Sequence, residues 1–108
     1  MNIEWNTLRP FNGDIKNGFD ELVCQLARAE QIPNKREFIR VAAPDGGVEA
    51  YCILSDSSEY GWQAKFFSSM GDSQWTQLDE SFKTAFAKHP NLTKYYINIL
   101  MVFLQFNE

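Results

Sequence analysis

Turn signals divide residues 37–67 into three short segments, and this spacing constrains the fold more than any other feature of the chain. The run Pro44-Asp45-Gly46-Gly47 separates the first two segments, and a polar run from Ser55 to Glu59 separates the second from the third. Residues of these types form turns. The segments between them are apolar and too short for typical helices. We therefore predict three strands, at about residues 37–42, 48–54 and 60–67.

Apolar residues at helical spacing occur on both sides of these strands. One helix is predicted over about residues 14–30, with an apolar stripe of Ile15, Phe19, Leu22, Val23 and Leu26. A second is predicted between Gly71-Asp72-Ser73 and Pro90-Asn91, with a stripe of Trp75, Leu78, Phe82 and Phe86. Residues 95–106 are aromatic and β-branched, which indicates a last strand.

The predicted order is helix, three strands, helix, strand. Consecutive short strands favour an antiparallel meander, and a strand that follows a helix can join the sheet in parallel through a crossover. We predict an α/β fold, a mixed β-sheet flanked by helices. A length of 108 residues suits a single domain spanning residues 1–108.

The charge balance of 10 basic and 14 acidic residues argues against a domain that binds nucleic acid by bulk positive charge alone. Cys24 and Cys52 fit no metal-binding spacing and are predicted to be buried thiols, as in a reducing cytoplasm. The first residues lack the pattern of a signal peptide, and no apolar run is long enough to span a bilayer. The chain is predicted to be cytoplasmic, with no membrane partner.

Polar residues of the second hairpin form the candidate site. If the hairpin turns about Ser57, Glu49 lies opposite Lys65 and Tyr51 lies opposite Gln63. Because side chains alternate along a strand, Glu49, Gln63 and Lys65 would then share one face. The other face, on the predicted core side, would carry Ala50, Cys52, Leu54, Trp62, Ala64 and Phe66.

Such a cluster suits metal-assisted hydrolysis of a phosphodiester. The carboxylate of Glu49, the amide oxygen of Gln63 and the backbone carbonyl of Ala64 are oxygen ligands of the kind that Mg²⁺ prefers. Lys65 would position or activate a water and offset charge on the phosphate. The simpler alternative is that Glu49 and Lys65 form an ordinary cross-strand surface pair.

The sequence DGGVE followed by WQAKFF resembles the motif of Mrr-type restriction endonucleases in the PD-(D/E)xK nuclease superfamily. That motif has an acid after Asp-Gly-Gly-Ile on the second strand and Gln-x-Lys on the third. The segment GFDEL, beginning at Gly18, resembles the family's opening Phe-Glu helix. The predicted element order is the αβββαβ core of the restriction-endonuclease-like superfamily, so the resemblance covers about residues 14–103.

By this resemblance, Glu49 matches the metal-binding acid, which is Asp in most relatives, and Gln63 matches the second metal-site residue. Lys65 matches the catalytic lysine, and Asp45 matches the aspartate that opens the loop. Asp45 can alternatively serve only as a turn residue.

The family's helix acid matches Asp20, with Glu21 as the second choice. Helical geometry agrees, because Asp20 borders the predicted apolar stripe and Glu21 points almost opposite it. An exposed helix acid without a catalytic role is the alternative for either residue.

The resemblance implies a DNA endonuclease dependent on Mg²⁺ (or Mn²⁺), acting in restriction or antiphage defence. Residues 69–77 and 88–99 resemble the nuclease effector domains at the front of large bacterial antiphage NTPases, which implies self-association or fused sensor and NTPase domains for activity. The alternatives are a catalytically inactive nuclease-fold module for protein or nucleic-acid interaction, a truncated fragment of a larger defence protein, and a small assembly protein that pairs through its apolar C-terminal strand.

Overall fold

A four-stranded sheet with a helix on each face forms the part of the chain that the computed structural model describes, residues 15–41 and 47–101. The elements in chain order are α1 (Ile15–Ala29), β1 (Lys35–Arg40), β2 (Ala50–Leu54), β3 (Glu59–Phe67), α2 (Asp72–Lys88) and β4 (Leu92–Met101). The prediction for Asp45 and the part of the last predicted strand beyond Met101 lie outside the described residues.

The strands follow the order β1-β2-β3-β4 across the sheet. β1 pairs with β2, and β2 with β3, in antiparallel fashion. β4 pairs with β3 in parallel, because the chain crosses over through α2 before it returns. The predicted meander, the parallel last strand and the general α/β class are therefore confirmed, although β4 begins at Leu92, earlier than predicted.

α1 packs on one face of the sheet through a stripe that differs in part from the predicted one. Phe19 and Val23 are buried as predicted, but Leu26 is 48% exposed and Ala27 is buried instead. Ala27 belongs to the same core cluster as Trp62. Because Trp62 fills much of this layer from the sheet side, a small residue on the helix allows the backbones to approach. The helix is therefore rotated toward its small residues.

α2 packs on the opposite face, and here the predicted stripe is wrong in part, since Phe86 packs against the core but Trp75 and Phe82 do not lie in it. Ser81 and Ala85 are the buried residues of this helix, whereas Trp75 is 62% and Phe82 is 51% exposed. The reason is a close approach to Gly47: a Cβ atom built on this glycine would lie 2.7 Å from the Cα atom of Ala85. Small residues on both sides bring α2 close to the chain before β2, and Trp75 and Phe82 remain on the outer side of the helix.

The β2–β3 hairpin has a register that differs from the predicted one by two residues. Ala50 pairs with Trp62 and Ile53 with Glu59, so the hairpin is centred on Asp56 rather than Ser57. The Asp56 carboxylate explains this shift, since it accepts hydrogen bonds from the backbone N–H and the hydroxyl of Ser58 at 2.9 and 2.6 Å. The predicted pairs Glu49 with Lys65 and Tyr51 with Gln63 are therefore wrong, and Tyr51 lies opposite Gly61.

We expect Gly47→Ala to destabilise the fold by about 1–3 kcal/mol, because the added methyl group would overlap the backbone of α2 at Ala85. Urea unfolding measures this loss. Gly71→Ala is the matched control, since a Cβ atom there meets only the side-chain oxygen of Gln74, at 3.4 Å. Equal unfolding midpoints for the two variants would contradict the close packing of Gly47 on α2.

Candidate functional site

The alternation of side chains along the chain is interrupted at Glu49, immediately before β2. Val48 packs with Ala85 on the α2 side of the sheet, whereas Ala50 lies opposite Trp62, whose side chain packs on the α1 side. The Glu49 backbone N–H donates to the carbonyl of Trp62 at 2.7 Å, although Ala50 is the residue that pairs with Trp62. Glu49 and Ala50 thus both lie opposite Trp62, as in a β-bulge, and a bulge changes the direction in which a side chain points.

Three acids act on the buried thiol of Cys24. Burial raises the pKa of Cys24, the positive charge of Arg40 opposes this rise, and the charges of Glu49, Glu21 and Asp20 add to it. Cys24 lies on α1, which packs on the sheet face that carries Trp62. The charge of the acid before β2 and the charges of both candidate acids of α1 therefore all reach the Cys24 thiol.

Asp20 is partly buried, as its predicted position at the border of the apolar stripe of α1 requires. Its side chain is half-buried, and its Oδ1 atom is inaccessible to solvent. It precedes Cys24 by one helical turn, so both residues lie on the same side of α1.

Glu21 does not point away from the sheet, so this part of the prediction is wrong. Its carboxylate forms an ion pair with Arg40 at 2.5 Å and accepts a hydrogen bond from Gln25 at 2.9 Å. The rotation of α1 toward its small residues brings Glu21 within reach of β1. The hydrogen bonds from Gln25 and Arg40 lower the pKa of Glu21, and the bond to Glu21 raises the pKa of Arg40.

Gln63 is buried and is hydrogen-bonded at both ends of its amide. Its Nε2 donates to the carbonyl of Gly47 at 3.2 Å, and its Oε1 accepts from the backbone N–H of Ala64 at 2.9 Å. The hydroxyl of Tyr95 donates to the same Gly47 carbonyl at 2.5 Å. Gln63 therefore holds the chain before β2 onto the α2 side of the sheet, together with Tyr95.

Lys65 shares the face of Gln63, two residues further along β3, and is half-buried. It lies beside Ile99 of β4, beyond the last residue of β3 that pairs with β2. The separation along the strand from Trp62, which binds the Glu49 backbone, is about 10 Å. Ala64 lies between Gln63 and Lys65 with its side chain in the α1-side core, as predicted.

The structure therefore does not bring the predicted site residues Glu49, Gln63 and Lys65 together on one face. Gln63 and Lys65 lie on the α2 side of the sheet, whereas the charges of Glu49 and Asp20 both act on Cys24 of α1. Within residues 15–41 and 47–101, no group of three or more His, Cys, Asp or Glu side chains is arranged to hold a metal ion. The oxygen donors of Asp20 and Glu49 are nevertheless of the type that Mg²⁺ and Mn²⁺ bind.

Sequence reasoning missed three residues that shape this site: Arg40, Tyr95 and Gly47. Arg40 carries the ion pair to α1, and the charges of both Glu21 and Glu49 raise its pKa. Gly47 and Tyr95 fix the chain that leads into Glu49. The alternation of β1, which places Arg40 two residues after the core residue Phe38, was the available signal for Arg40. Nothing local in the sequence links Tyr95 to Gly47.

No protein-family model, curated protein or solved structure matches this chain. In the described part of the chain, neither helix has the length and apolar character needed to cross a membrane.

We expect Glu21→Gln to lower the free energy of unfolding by about 0.5 kcal/mol at neutral pH, a small effect because solvent screens the half-exposed Arg40. The folded state lowers the pKa of Glu21, so its contribution is present above the ordinary glutamate pKa and disappears as the pH falls through the lowered value. Urea unfolding of both proteins across the acidic range measures this convergence. Glu37→Gln, on the exposed side of β1, is the control, and a difference between wild type and Glu21→Gln that grows toward low pH would contradict the assignment.

We expect Gln63→Leu to cost about 1–3 kcal/mol of stability, because the buried N–H of Ala64 and the carbonyl of Gly47 each lose a partner. Gln77→Leu, an amide on the exposed side of α2, is the matched control. Chemical denaturation of the two variants measures the difference. If Gln63→Leu were as stable as Gln77→Leu, the amide of Gln63 would not hold the chain before β2.

Proposed function

We propose that this chain is a metal-dependent nuclease domain that hydrolyses phosphodiester bonds of DNA, in restriction or antiphage defence. The observation that carries the proposal is that the charges of Asp20 and Glu49, on two elements far apart in sequence, both raise the pKa of the buried Cys24 thiol. These are the positions at which the resemblance to PD-(D/E)xK nucleases implies acids. The element order and the parallel β3–β4 pairing agree with the core of that superfamily.

The oxygen atoms of Glu49 and Asp20 would hold Mg²⁺ or Mn²⁺ on the α1 side. When bound, the ion would lower the pKa of a water molecule and offset charge on the phosphate. Arg40, held by Glu21, would supply a positive charge that acts on Glu49 in the absence of an ion. The buried amide of Gln63 would fix the backbone that presents Glu49, which is a positioning role rather than metal ligation.

Lys65 is the residue that this proposal needs to reach the reacting phosphate. It lies on β3 about three residues beyond the contact with Glu49, so the long lysine side chain must extend around the free end of the sheet. An ammonium group in this position would attract the phosphate and stabilise the charge that develops during hydrolysis.

The second candidate is a nuclease-fold module without catalytic activity, which binds protein or nucleic acid. The observation that favours it is the amide of Gln63, which stands where the wider superfamily has a carboxylate and is hydrogen-bonded to backbone at both ends. A residue used in this way supports the fold without supplying a charged ligand.

A plasmid-cleavage assay with Mg²⁺ or Mn²⁺ tests the proposed activity. We expect metal-dependent nicking by the wild type and a loss of about a hundredfold or more in Glu49→Ala, Asp20→Asn and Lys65→Ala, since each removes a charge that acts on the transition state. Glu80→Ala and Lys83→Ala, both on the exposed side of α2, are the matched controls. Cleavage that persists in all three site variants would refute the assignment of these residues.

Calorimetric titration with Mn²⁺ separates the two candidates. Heat of binding that vanishes in Glu49→Ala but persists in Glu80→Ala supports the metal site. A wild type that neither binds Mn²⁺ nor cleaves DNA, yet retains an oligonucleotide in a binding assay, supports the module without catalytic activity.

A further inference from the structure

Two residues of β3 and two residues of β4 form a square on the α1 side of the sheet. Tyr60 pairs with Lys94, and Trp62 pairs with Tyr96. Residues two apart along a strand share a face, and Trp62 lies in the core beneath α1, so all four side chains are on this side. We call these four residues the aromatic platform.

The buried part of the platform supports its exposed part. Trp62 is 4% exposed, and the Tyr96 ring stacks on it with ring centres 5.7 Å apart and planes inclined by 19°. The Nζ atom of Lys94 lies 4.9 Å from the centre of the Tyr60 ring. Tyr96 remains 38% exposed and Lys94 is exposed, so a flat ring and an ammonium group lie next to each other at the surface.

No acid lies beside the platform on its own two strands. The other described residues of β3 and β4 that share its face are uncharged, namely Ala64, Phe66, Asn98 and Leu100. The acid of β3, Glu59, lies on the α2 side of the sheet, where it contacts His89. The charge of Lys94 is therefore not neutralised by a carboxylate of these strands.

A second cation lies on the β1 side of the same aromatic group. The Phe38 ring contacts Trp62, with ring centres 6.1 Å apart, and it approaches from β1, whereas Tyr96 approaches from β4. The guanidinium of Arg28, at the end of α1, lies 5.4 Å from the centre of the Phe38 ring and is exposed. Aromatic rings with a cation at either side suit a ligand that has flat bases and negative charges.

We propose that the aromatic platform binds single-stranded DNA, with one base stacked on Tyr96 and a neighbouring phosphate held by Lys94. Stacking on aromatic rings beside positive charge binds single strands without reading their sequence. In a duplex the bases are already stacked on one another, so the platform favours the single-stranded form. The net charge of −4 is compatible with this ligand, because stacking supplies most of the affinity and only one or two cations take part.

The choice of DNA rests on the proposed nuclease function, whereas the platform itself does not depend on Asp20 or Lys65. The backbone N–H of Glu49 donates to the carbonyl of Trp62. The platform therefore lies within about two strand spacings, or about 10 Å, of the proposed metal ligand. A single strand bound at Tyr96 could reach that site.

Fluorescence anisotropy with a labelled thymidine oligonucleotide of about ten nucleotides tests the proposal, without metal, so that no cleavage occurs. We expect the wild type to bind this strand more tightly than the matching duplex. Tyr96→Ala weakens binding by about fivefold or more, since stacking is lost, and Tyr96→Phe retains it. Trp75→Ala, which removes an exposed aromatic residue of α2, is the matched control and binds as the wild type does.

The salt dependence of binding gives a second readout. With one or two phosphates neutralised, log K falls with log salt with a slope of about −0.7 to −1.4. Lys94→Ala makes this slope shallower by about 0.7, whereas Lys83→Ala, an exposed lysine of α2, leaves it unchanged. An abasic strand of the same length, which keeps the phosphates but has no bases, binds the wild type about as weakly as thymidine binds Tyr96→Ala.

Circular dichroism of each variant confirms that the fold is retained. A wild type that does not bind up to about 10⁻⁴ M protein, or Tyr96→Ala that binds as tightly as the wild type, would overturn the proposal. Tighter binding of the matching uridine RNA would overturn the choice of DNA. Plasmid nicking without binding through Tyr96 contradicts the platform alone, whereas binding through Tyr96 without nicking contradicts the nuclease proposal alone.

Discussion

The contact between Gly47 and α2 is the constraint on which the arrangement of this protein depends. Only a residue without a side chain allows the backbone of Ala85 to come so close. Its carbonyl then receives two donors, Gln63 from β3 and Tyr95 from β4. The peptide group of Gly47 thus connects the chain before β2 with the parallel strands β3 and β4 and with α2. Because these contacts hold Gly47 in place, they also determine the path of the backbone from Gly47 to Glu49.

Hydrophobic periodicity and turn chemistry were sufficient to predict the order of elements and the mixed sheet, because these depend on local residue patterns. The face of α2 could not be predicted in the same way. Hydrophobic periodicity predicts that large apolar residues such as Trp75 and Phe82 face the sheet. The close contact with Gly47 instead requires small residues there, and Ser81 and Ala85 are the buried ones. The size of the space between helix and sheet is a property of the folded structure and not of the helix sequence.

In the β2–β3 hairpin, a small error in the predicted turn position changes which residues of the candidate site lie opposite each other. A shift of the turn from Ser57 to Asp56 moves every pairing by two residues and so preserves the faces, which is why the predicted core side of β2 and β3 is correct. The same shift separates Glu49 from Lys65. The charge of Glu49 instead acts on Cys24 of α1 and on Arg40 of β1, a relation between three elements that pairwise spacing within one hairpin does not contain.

The parallel pairing of β3 with β4 also has a consequence for the order in which the chain folds. The hairpins of β1, β2 and β3 close short loops and can form within microseconds. β4 must wait until α2 has formed and crossed the sheet, since its partner residues are distant in sequence. During this interval β3 is itself an open edge, and its backbone groups on that side have no strand to pair with until β4 arrives.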